Sequence, residues 1–338
     1  MLRLPKATKF IAIILGASVL FGAQVANAEG RPIRDAIRER LAERRAQRDG
    51  TDTAAELAQY SVEFQGRTRS YYAYIPQSVQ GQSNIPAIMV FHGGEGNGSN
   101  VAATIDMASK AEAGGFALIY PNSPGVQWND GRSTTRSGID DVAFIQSLVG
   151  HVQTAHGINS NRIFAAGISN GGMFTQRLAC DIPSTFSGYA IAAATLPAGL
   201  AQSCQPSRTA PMIFFNGTAD RLMPFEGGDI ASMRALGVGV GGTVLSQAQT
   251  MAFWTGAAGC SADTGARALP DRVTDGTEVS LRQYTSCRNN ASMAFYIING
   301  GGHNWPGTDA RVSRFSGIVS EEIDATDEII RFFSQYGL

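Results

Sequence analysis

Six apolar runs constrain this chain more than any other feature: PAIMVFHGG (86–94), FALIYP (116–121), RIFAAG (162–167), SGYAIAAA (187–194), PMIFFNG (211–217) and MAFYIING (293–300). Each is too short for a membrane span, and none alternates apolar with polar as a half-exposed strand does. Continuous apolar runs of this length read as strands buried on both faces. The stretches between them carry helical patterns, near 100–113, from Asp140 to His151, from Asn170 to Cys180 and from Gln247 to Thr255. Strand alternating with helix predicts an α/β domain, a mostly parallel central sheet with helices on both faces. Ahead of it, SVEFQGRTRSYYAYIP has the period of an antiparallel hairpin, with Tyr72 and Tyr74 facing one way. The tail DATDEIIRFFSQYGL predicts a last helix capped by Asp324, its apolar set being Ile329, Ile330, Phe333 and Tyr336.

The ends divide the chain further. Arg3, Lys6 and Lys9 precede an apolar run that finishes at Ala26-Asn27-Ala28, the pattern of a cleaved secretory signal. We therefore expect a signal peptide over 1–28, a charged and partly helical linker over 29–58, and a catalytic-sized domain over 59–338. The expected location is secreted, extracellular or periplasmic. Within the linker, residues 31–50 hold seven arginines against four acids. Their thin stripe of Ile33, Ile37 and Leu41 suits a solvated segment better than a binding arm. No linker leading to an appended module is expected.

With a net charge of −1, the chain has no general attraction to nucleic acid or anionic membranes. No second segment is long and apolar enough for a membrane span. Export makes Cys180, Cys204, Cys260 and Cys287 candidates for two disulfides. Three pairings are possible, of which Cys180–Cys204 with Cys260–Cys287 closes the shortest loops. No Cys-x-x-Cys pair occurs and histidines number four, so neither a zinc site nor another metal is expected.

The chemistry gathers where the strands end. AAGISNGGM (165–173) sets Ser169 between Gly167 and Gly171, directly after a strand and before a helix. In that context a serine on a strained turn projects from the sheet as a nucleophile. The same residues permit a plain helix N-cap. A serine hydroxyl needs a base, and His303 in INGGGHNWPG stands just past the last long strand. His151 and His156 read as surface or helix-terminal residues, and His92 as structural. An acid beyond a late strand completes the set: Asp220 in NGTAD would hold the tautomer of His303. The order Ser169, Asp220, His303 is that of the α/β-hydrolases. HGGEGNG supplies backbone N–H groups at Gly93 and Gly94, which with that of Asn170 would form an oxyanion hole. These glycines lack the Lys-Ser/Thr of a phosphate loop.

Taken together, HGG (92–94), WNDGR (128–132), DDVAF (140–144), GISNGGM (167–173), NGTAD (216–220) and GGGHNWPG (300–307) resemble the secreted polyhydroxybutyrate depolymerase and feruloyl esterase-type hydrolases. The resemblance covers nearly all of residues 60–338. It implies an α/β-hydrolase fold, no cofactor, carboxylic ester hydrolysis, and a triad of Ser169, Asp220 and His303. It also implies that WNDGR (128–132), with Trp128 as its aromatic, and Trp305 lie near the acyl pocket. Two positions depart from the usual pattern: Asn216 stands where a histidine is frequent, and GGEGN replaces a Gly-Cys-rich loop. Asp140 and Asp141 are expected to cap the helix that follows them. The expected activity is a serine esterase on feruloyl or acetyl esters of polysaccharides, or similar small esters. Its rival is a polyhydroxybutyrate depolymerase. A serine peptidase and a non-catalytic binding protein on the same scaffold are further alternatives, and the chain shows no acidic cluster for the amine a peptidase would recognise.

Overall fold

A computed structural model describes residues 57–125, 127–135, 138–230, 241–309 and 316–338. The expected signal peptide and the arginine-rich segment 31–50 lie outside the described residues. All the described residues belong to the compact unit Ala55–Leu338.

The described residues form twelve strands and seven α-helices. In chain order they are β1 (Ala58–Phe64), β2 (Arg67–Tyr74), β3 (Ile85–Phe91), α1 (Gly98–Ile105), α2 (Ala108–Gly114), β4 (Ala117–Pro121), α3 (Asp141–His156), β5 (Ile158–Ile168), α4 (Asn170–Asp181) and β6 (Tyr189–Ala192). There follow α5 (Ala198–Ser203), β7 (Met212–Gly217), β8 (Gly228–Asp229), β9 (Thr243–Val244), α6 (Gln247–Ala258), β10 (Ala262–Ala268), β11 (Glu278–Thr285), β12 (Met293–Asn299) and α7 (Ala325–Ser334). Ten strands form one sheet in the order β1-β2-β4-β3-β5-β6-β7-β12-β11-β10. The six from β4 to β12 run parallel, and an antiparallel pair borders them at each edge.

The apolar runs behave as their composition requires. Every residue of β3 is buried, and successive side chains go to opposite faces. Met89 joins one hydrophobic layer with Ile163, Met173 and Phe174, while Ile88 and Val90 join the other with Phe164 and Phe333. Tyr72 and Tyr74 share that second layer, as the hairpin pattern predicts. In α7, Asp324 accepts from the N–H of Asp327, and Ile329 and Phe333 are fully buried.

Three features depart from expectation. The helical stretch near 100–113 is two helices, because Asp106 is left-handed (φ 43°) and ends the first. The pair β10–β11 is unforeseen. β10 reads ADTGARA, is exposed along most of its length, and is held by backbone pairing to β11 with no apolar period of its own. Asp140 caps α3 through the N–H of Ala143, but Asp141 does not cap. Asp141 is buried and pairs with the Arg69 guanidinium at 2.9 Å. It also accepts from the N–H of Asn129 at 2.9 Å.

β3 has β4 on one side and β5 on the other, so the chain winds in opposite directions from this point. A crevice opens at such a switch, beyond the carboxyl ends of the two strands. Gly93 and Gly94 follow β3, and Ser169 follows β5.

Candidate active site

Ser169 adopts φ 57°, ψ −123° between β5 and α4. That conformation costs a non-glycine residue on the order of 1–3 kcal/mol, and its surroundings enforce it. The Ser169 N–H donates to the Ala192 carbonyl at 2.9 Å, and the Ser169 carbonyl accepts from Met173 N–H at 2.9 Å, opening the helix. The flanking glycines are steric necessities. A Cβ on Gly167 would lie 2.4 Å from the Gly171 carbonyl oxygen, and one on Gly171 would lie 2.2 Å from that of Phe91. Ser169 stands at the N-cap position of α4 without making a side-chain capping bond. Its hydroxyl is therefore not consumed by the helix, which removes the plain-cap interpretation.

The loops after β7 and β12 bring Asp220 and His303 together. Thr218 N–H donates to the Ile298 carbonyl and Ala219 N–H to the Gly301 carbonyl, both at 2.9 Å. Gly217 permits the approach, since a Cβ there would meet the Gly301 oxygen at 2.2 Å. His303 Nδ1 lies 2.7 Å from Asp220 Oδ2. The other carboxylate oxygen accepts from the N–H groups of Leu222 and Met223, each at 2.8 Å. In the tautomer that donates from Nδ1 to this carboxylate, Nε2 is left as the ring's acceptor. The Asp220 side chain is 3 % exposed and that of His303 11 %, so the imidazole is the member that reaches the surface of the site.

Ser169 and His303 line one cavity of about 270 Å³, together with Gly93, Gly94 and Asn170. Its apolar wall is formed by Ile168, Met173, Leu222, Met223 and Ile230. No hydrogen bond joins Ser169 to His303 among the described residues. Such contacts are commonly long before substrate arrives. A Cβ on Gly93 would touch the Ser169 Cβ at 3.4 Å, so the backbone of the β3 loop passes directly beside the serine.

His92 precedes those glycines and is buried. Its Nδ1 donates to the Gly93 carbonyl at 2.7 Å, and its Nε2 accepts from Ser123 N–H at 3.2 Å. Burial lowers its pKa, which keeps the ring neutral in that tautomer. It braces the loop, in line with a structural role.

The two tryptophans are placed otherwise than the resemblance implies. Trp128 is 0 % exposed and does not line the cavity. It stacks on Phe174 with ring centres 4.9 Å apart, and its Nε1 donates to the His92 carbonyl at 3.2 Å. Trp305 is likewise buried in the second layer, with Nε1 donating to Thr326 Oγ1 at 3.0 Å. A large flat ring removed from water on both faces packs loops together and leaves no surface for a ligand.

The WNDGR stretch acts on the site by a different route. Asp130, fully buried, accepts from Asn170 Nδ2 at 2.6 Å, from Thr135 Oγ1 at 2.8 Å and from Arg132 Nε at 2.9 Å. Asn170 is further clasped by Trp128, accepting from its N–H at 2.7 Å and donating to its carbonyl at 3.0 Å. Arg132 continues to Gln127 Oε1 at 3.0 Å, and Gln127 lines the cavity. Within WNDGR, which the resemblance places near the pocket, Arg132 lines the cavity; sequence reasoning missed Gln127 and the pairing of Asp130 with Arg132. Two opposite charges two residues apart were a signal, but only their burial shows that they pair inward.

Both disulfides are formed with the short-loop pairing, Cys180–Cys204 and Cys260–Cys287. The first ties the end of α4 to the end of α5. Among the described residues no helix is long and apolar enough to cross a membrane, and no cluster of metal-ligating side chains occurs.

Residues 69–207 match the family model described as Esterase PHB depolymerase. The chain is 29 % identical to the putative esterase NocK of Nocardia uniformis subsp. tsuyamanensis over 78 % of its own length and 77 % of that protein. It is 24 % identical to feruloyl esterase B of Piromyces equi, over 70 % of this chain and 42 % of that protein. It is 29 % identical to acetylxylan esterase A of Aspergillus awamori, over 44 % and 47 %. The chain thus spans under half the length of those last two relatives. Among solved structures, the acetyl xylan esterase from Aspergillus awamori superposes with a TM-score of 0.55 at 17 % identity, covering 82 % of this chain and 99 % of that one. An S-formylglutathione hydrolase from Agrobacterium tumefaciens gives 0.50 at 10 % identity, covering 82 % and 94 %. These likenesses establish the α/β-hydrolase fold. Residues 69–207 thus match an esterase family model, the relatives reported are named as esterases, and the chain has the α/β-hydrolase fold.

Proposed function

We propose that the protein is a secreted serine esterase that works through an acyl-enzyme, with Ser169 as nucleophile, His303 as base and Asp220 as its orienting acid. The observation that carries this reading is the convergence on one cavity of a strained serine with an unspent hydroxyl and an imidazole whose Nδ1 is committed to a carboxylate. Ser169 Oγ attacks the ester carbonyl as His303 Nε2 takes its proton. The N–H of Asn170 and one from Gly93 or Gly94 hold the developing oxyanion. His303 then protonates the departing alcohol, and in the second half activates the water that releases the acid. Asp220 stabilises the imidazolium throughout without taking a proton.

The substrates in this reading are feruloyl or acetyl esters of polysaccharides, or small esters like them. The relatives named for feruloyl and acetylxylan ester cleavage support it, as does a cavity whose apolar wall suits a short or aromatic acyl group. Two disulfides among the described residues suit export behind a signal peptide at 1–28, with residues 29–58 as a linker and 59–338 as the catalytic domain. The test compares methyl ferulate, acetylated xylan, amorphous polyhydroxybutyrate and a peptide, with Ser169→Ala as control. Turnover of the first two, abolished in the variant, is the expected result. Turnover of polyhydroxybutyrate alone would make the protein a polyester depolymerase, and turnover surviving in Ser169→Ala would mean another nucleophile.

A further inference from the structure

Gln127 is a polar side chain on the cavity wall whose orientation is imposed from behind. Arg132 Nη2 donates to Gln127 Oε1 at 3.0 Å. A guanidinium offers donors only, so the amide oxygen must face it and the amide nitrogen must face away. The guanidinium is itself immobilised. Its Nε lies 3.1 Å and 2.9 Å from the two oxygens of buried Asp130, and its Nη1 donates to the Gly241 carbonyl at 2.5 Å. Asp130 also neutralises the charge of Arg132, so this wall is not a site for an anion.

The freed amide nitrogen points toward the loop beside Ser169. A Cβ placed on Gly94 would lie 3.1 Å from Gln127 Nε2, so the nitrogen sits against the backbone that follows β3. Gln127 Nε2 has no hydrogen-bond partner among the described residues, and the residue lines the same cavity as Ser169 and His303. Two neutral N–H donors held rigidly at a cavity wall, with no protein acceptor, are arranged to meet an acceptor on a ligand.

We infer that Gln127 is a specificity-determining residue, donating from Nε2 to a neutral oxygen of the substrate other than the scissile carbonyl. The substrate class is an ester that carries a second oxygen close to the reacting bond, an alkoxy, hydroxyl or further ester oxygen, as opposed to a plain alkyl ester. Arg132 is a positioning residue for that donor. The inference rests on the ester-hydrolase mechanism proposed for Ser169 and concerns which esters that site selects.

The experiment compares esters that differ by one oxygen in place of a methylene. On the acyl side the pair is 4-nitrophenyl methoxyacetate and 4-nitrophenyl butanoate, and on the alcohol side 2-methoxyethyl acetate and butyl acetate. Because the two acyl groups differ in intrinsic reactivity, each kcat/KM ratio is divided by the corresponding hydroxide-catalysed ratio. The wild-type protein is expected to favour the oxygen-bearing member of at least one pair by about tenfold, the effect of one well-placed neutral hydrogen bond. In Gln127→Met, which keeps the length and loses the donor, that preference falls to about one. In Gln127→Glu, which keeps the partner of Arg132 but offers acceptors only, the preference is also lost. Arg132→Lys lowers it partway, since lysine lacks the fork that fixes the amide. Thermal melting confirms that each variant is folded. A wild type that hydrolyses all four esters with no corrected preference overturns the inference, as does a preference that survives in both Gln127 variants. A loss in Gln127→Met that is equal for both members of each pair also overturns it, placing Gln127 on the oxyanion instead. A wild type inactive on all four would count against the esterase mechanism itself, not against Gln127.

Discussion

The side-chain amide of Asn170 donates to Asp130 Oδ2 at 2.6 Å, with Asn170 2 % exposed and Asp130 wholly enclosed. Asn170 follows the proposed nucleophile, and its N–H is the proposed oxyanion donor. The same carboxylate holds Arg132, so it serves the serine turn on one side and the cavity wall on the other. Asp130→Ala would strand a buried guanidinium. Losing one member of a buried pair costs about 3–5 kcal/mol, so urea denaturation should show a loss of that size. A loss under about 1 kcal/mol would mean that water reaches Arg132 in the folded state.

Two glycine substitutions should act in opposite directions. Gly171→Ala places a methyl 2.2 Å from the Phe91 oxygen and 2.4 Å from that of His92, so β3 and α4 must separate. Its melting temperature and its turnover should both fall sharply. Gly150, inside α3, has open space where a Cβ would go. Gly150→Ala should raise stability by up to about 1 kcal/mol, with turnover unchanged.

The origin of these constraints explains what the sequence could and could not disclose. The parallel core was legible because β3, β4 and β7 must be apolar on both faces, which leaves an uninterrupted signature. The proposed trio of Ser169, Asp220 and His303 could be named from the sequence because each lies just past such a strand. Strand β10 was not, since its Ala, Gly and Thr carry no period and only β11 holds it in place. The pocket role that the resemblance implies for Trp128 fails because a shared motif does not say which way a ring faces. Gln127 could not be found at all, because its use depends on Arg132, whose inward pairing with Asp130 is a property of the folded chain.

Acidity should weaken the sheet edge near β2. Tyr71 OH lies 2.9 Å from His156 Nε2 and 3.1 Å from His151 Nε2, so one phenol bridges two imidazoles. Burial pushes the Tyr71 hydroxyl up to about 12, keeping it neutral. Burial, and then the neighbouring His151, lowers the pKa of His156. A base with a lowered folded pKa binds fewer protons folded than unfolded. Its stabilising effect is therefore complete above the ordinary histidine value of about 6.5 and is lost as pH falls below it. Buried His92, lowered for the same reason, adds to the effect. Unfolding free energy should decline from pH 7 to pH 5, with a shallower slope in His156→Gln. An unchanged slope would place the titration elsewhere.

The disulfides should contribute by restricting the unfolded chain. Cys180–Cys204 spans 24 residues and Cys260–Cys287 spans 27. Loops of that size give about 3 kcal/mol each. Replacing Cys180 and Cys204 together with alanine should lower stability by roughly that amount, read as a shift in the denaturation midpoint without loss of the second bridge. A melting temperature insensitive to reduction would contradict both contributions.

In the proposed mechanism one serine, Ser169, activated by His303, performs the hydrolysis. The direct measurement is covalent labelling of the folded protein by a fluorophosphonate, with the adduct located by peptide mass spectrometry and turnover followed in parallel. A single adduct on Ser169 is expected, with a fall in kcat on the order of 10⁴ or more in both Ser169→Ala and His303→Ala. The double variant should be no worse than either, because the two residues act as a unit. An adduct on another residue, no adduct at all, or ester turnover that survives in Ser169→Ala would contradict it.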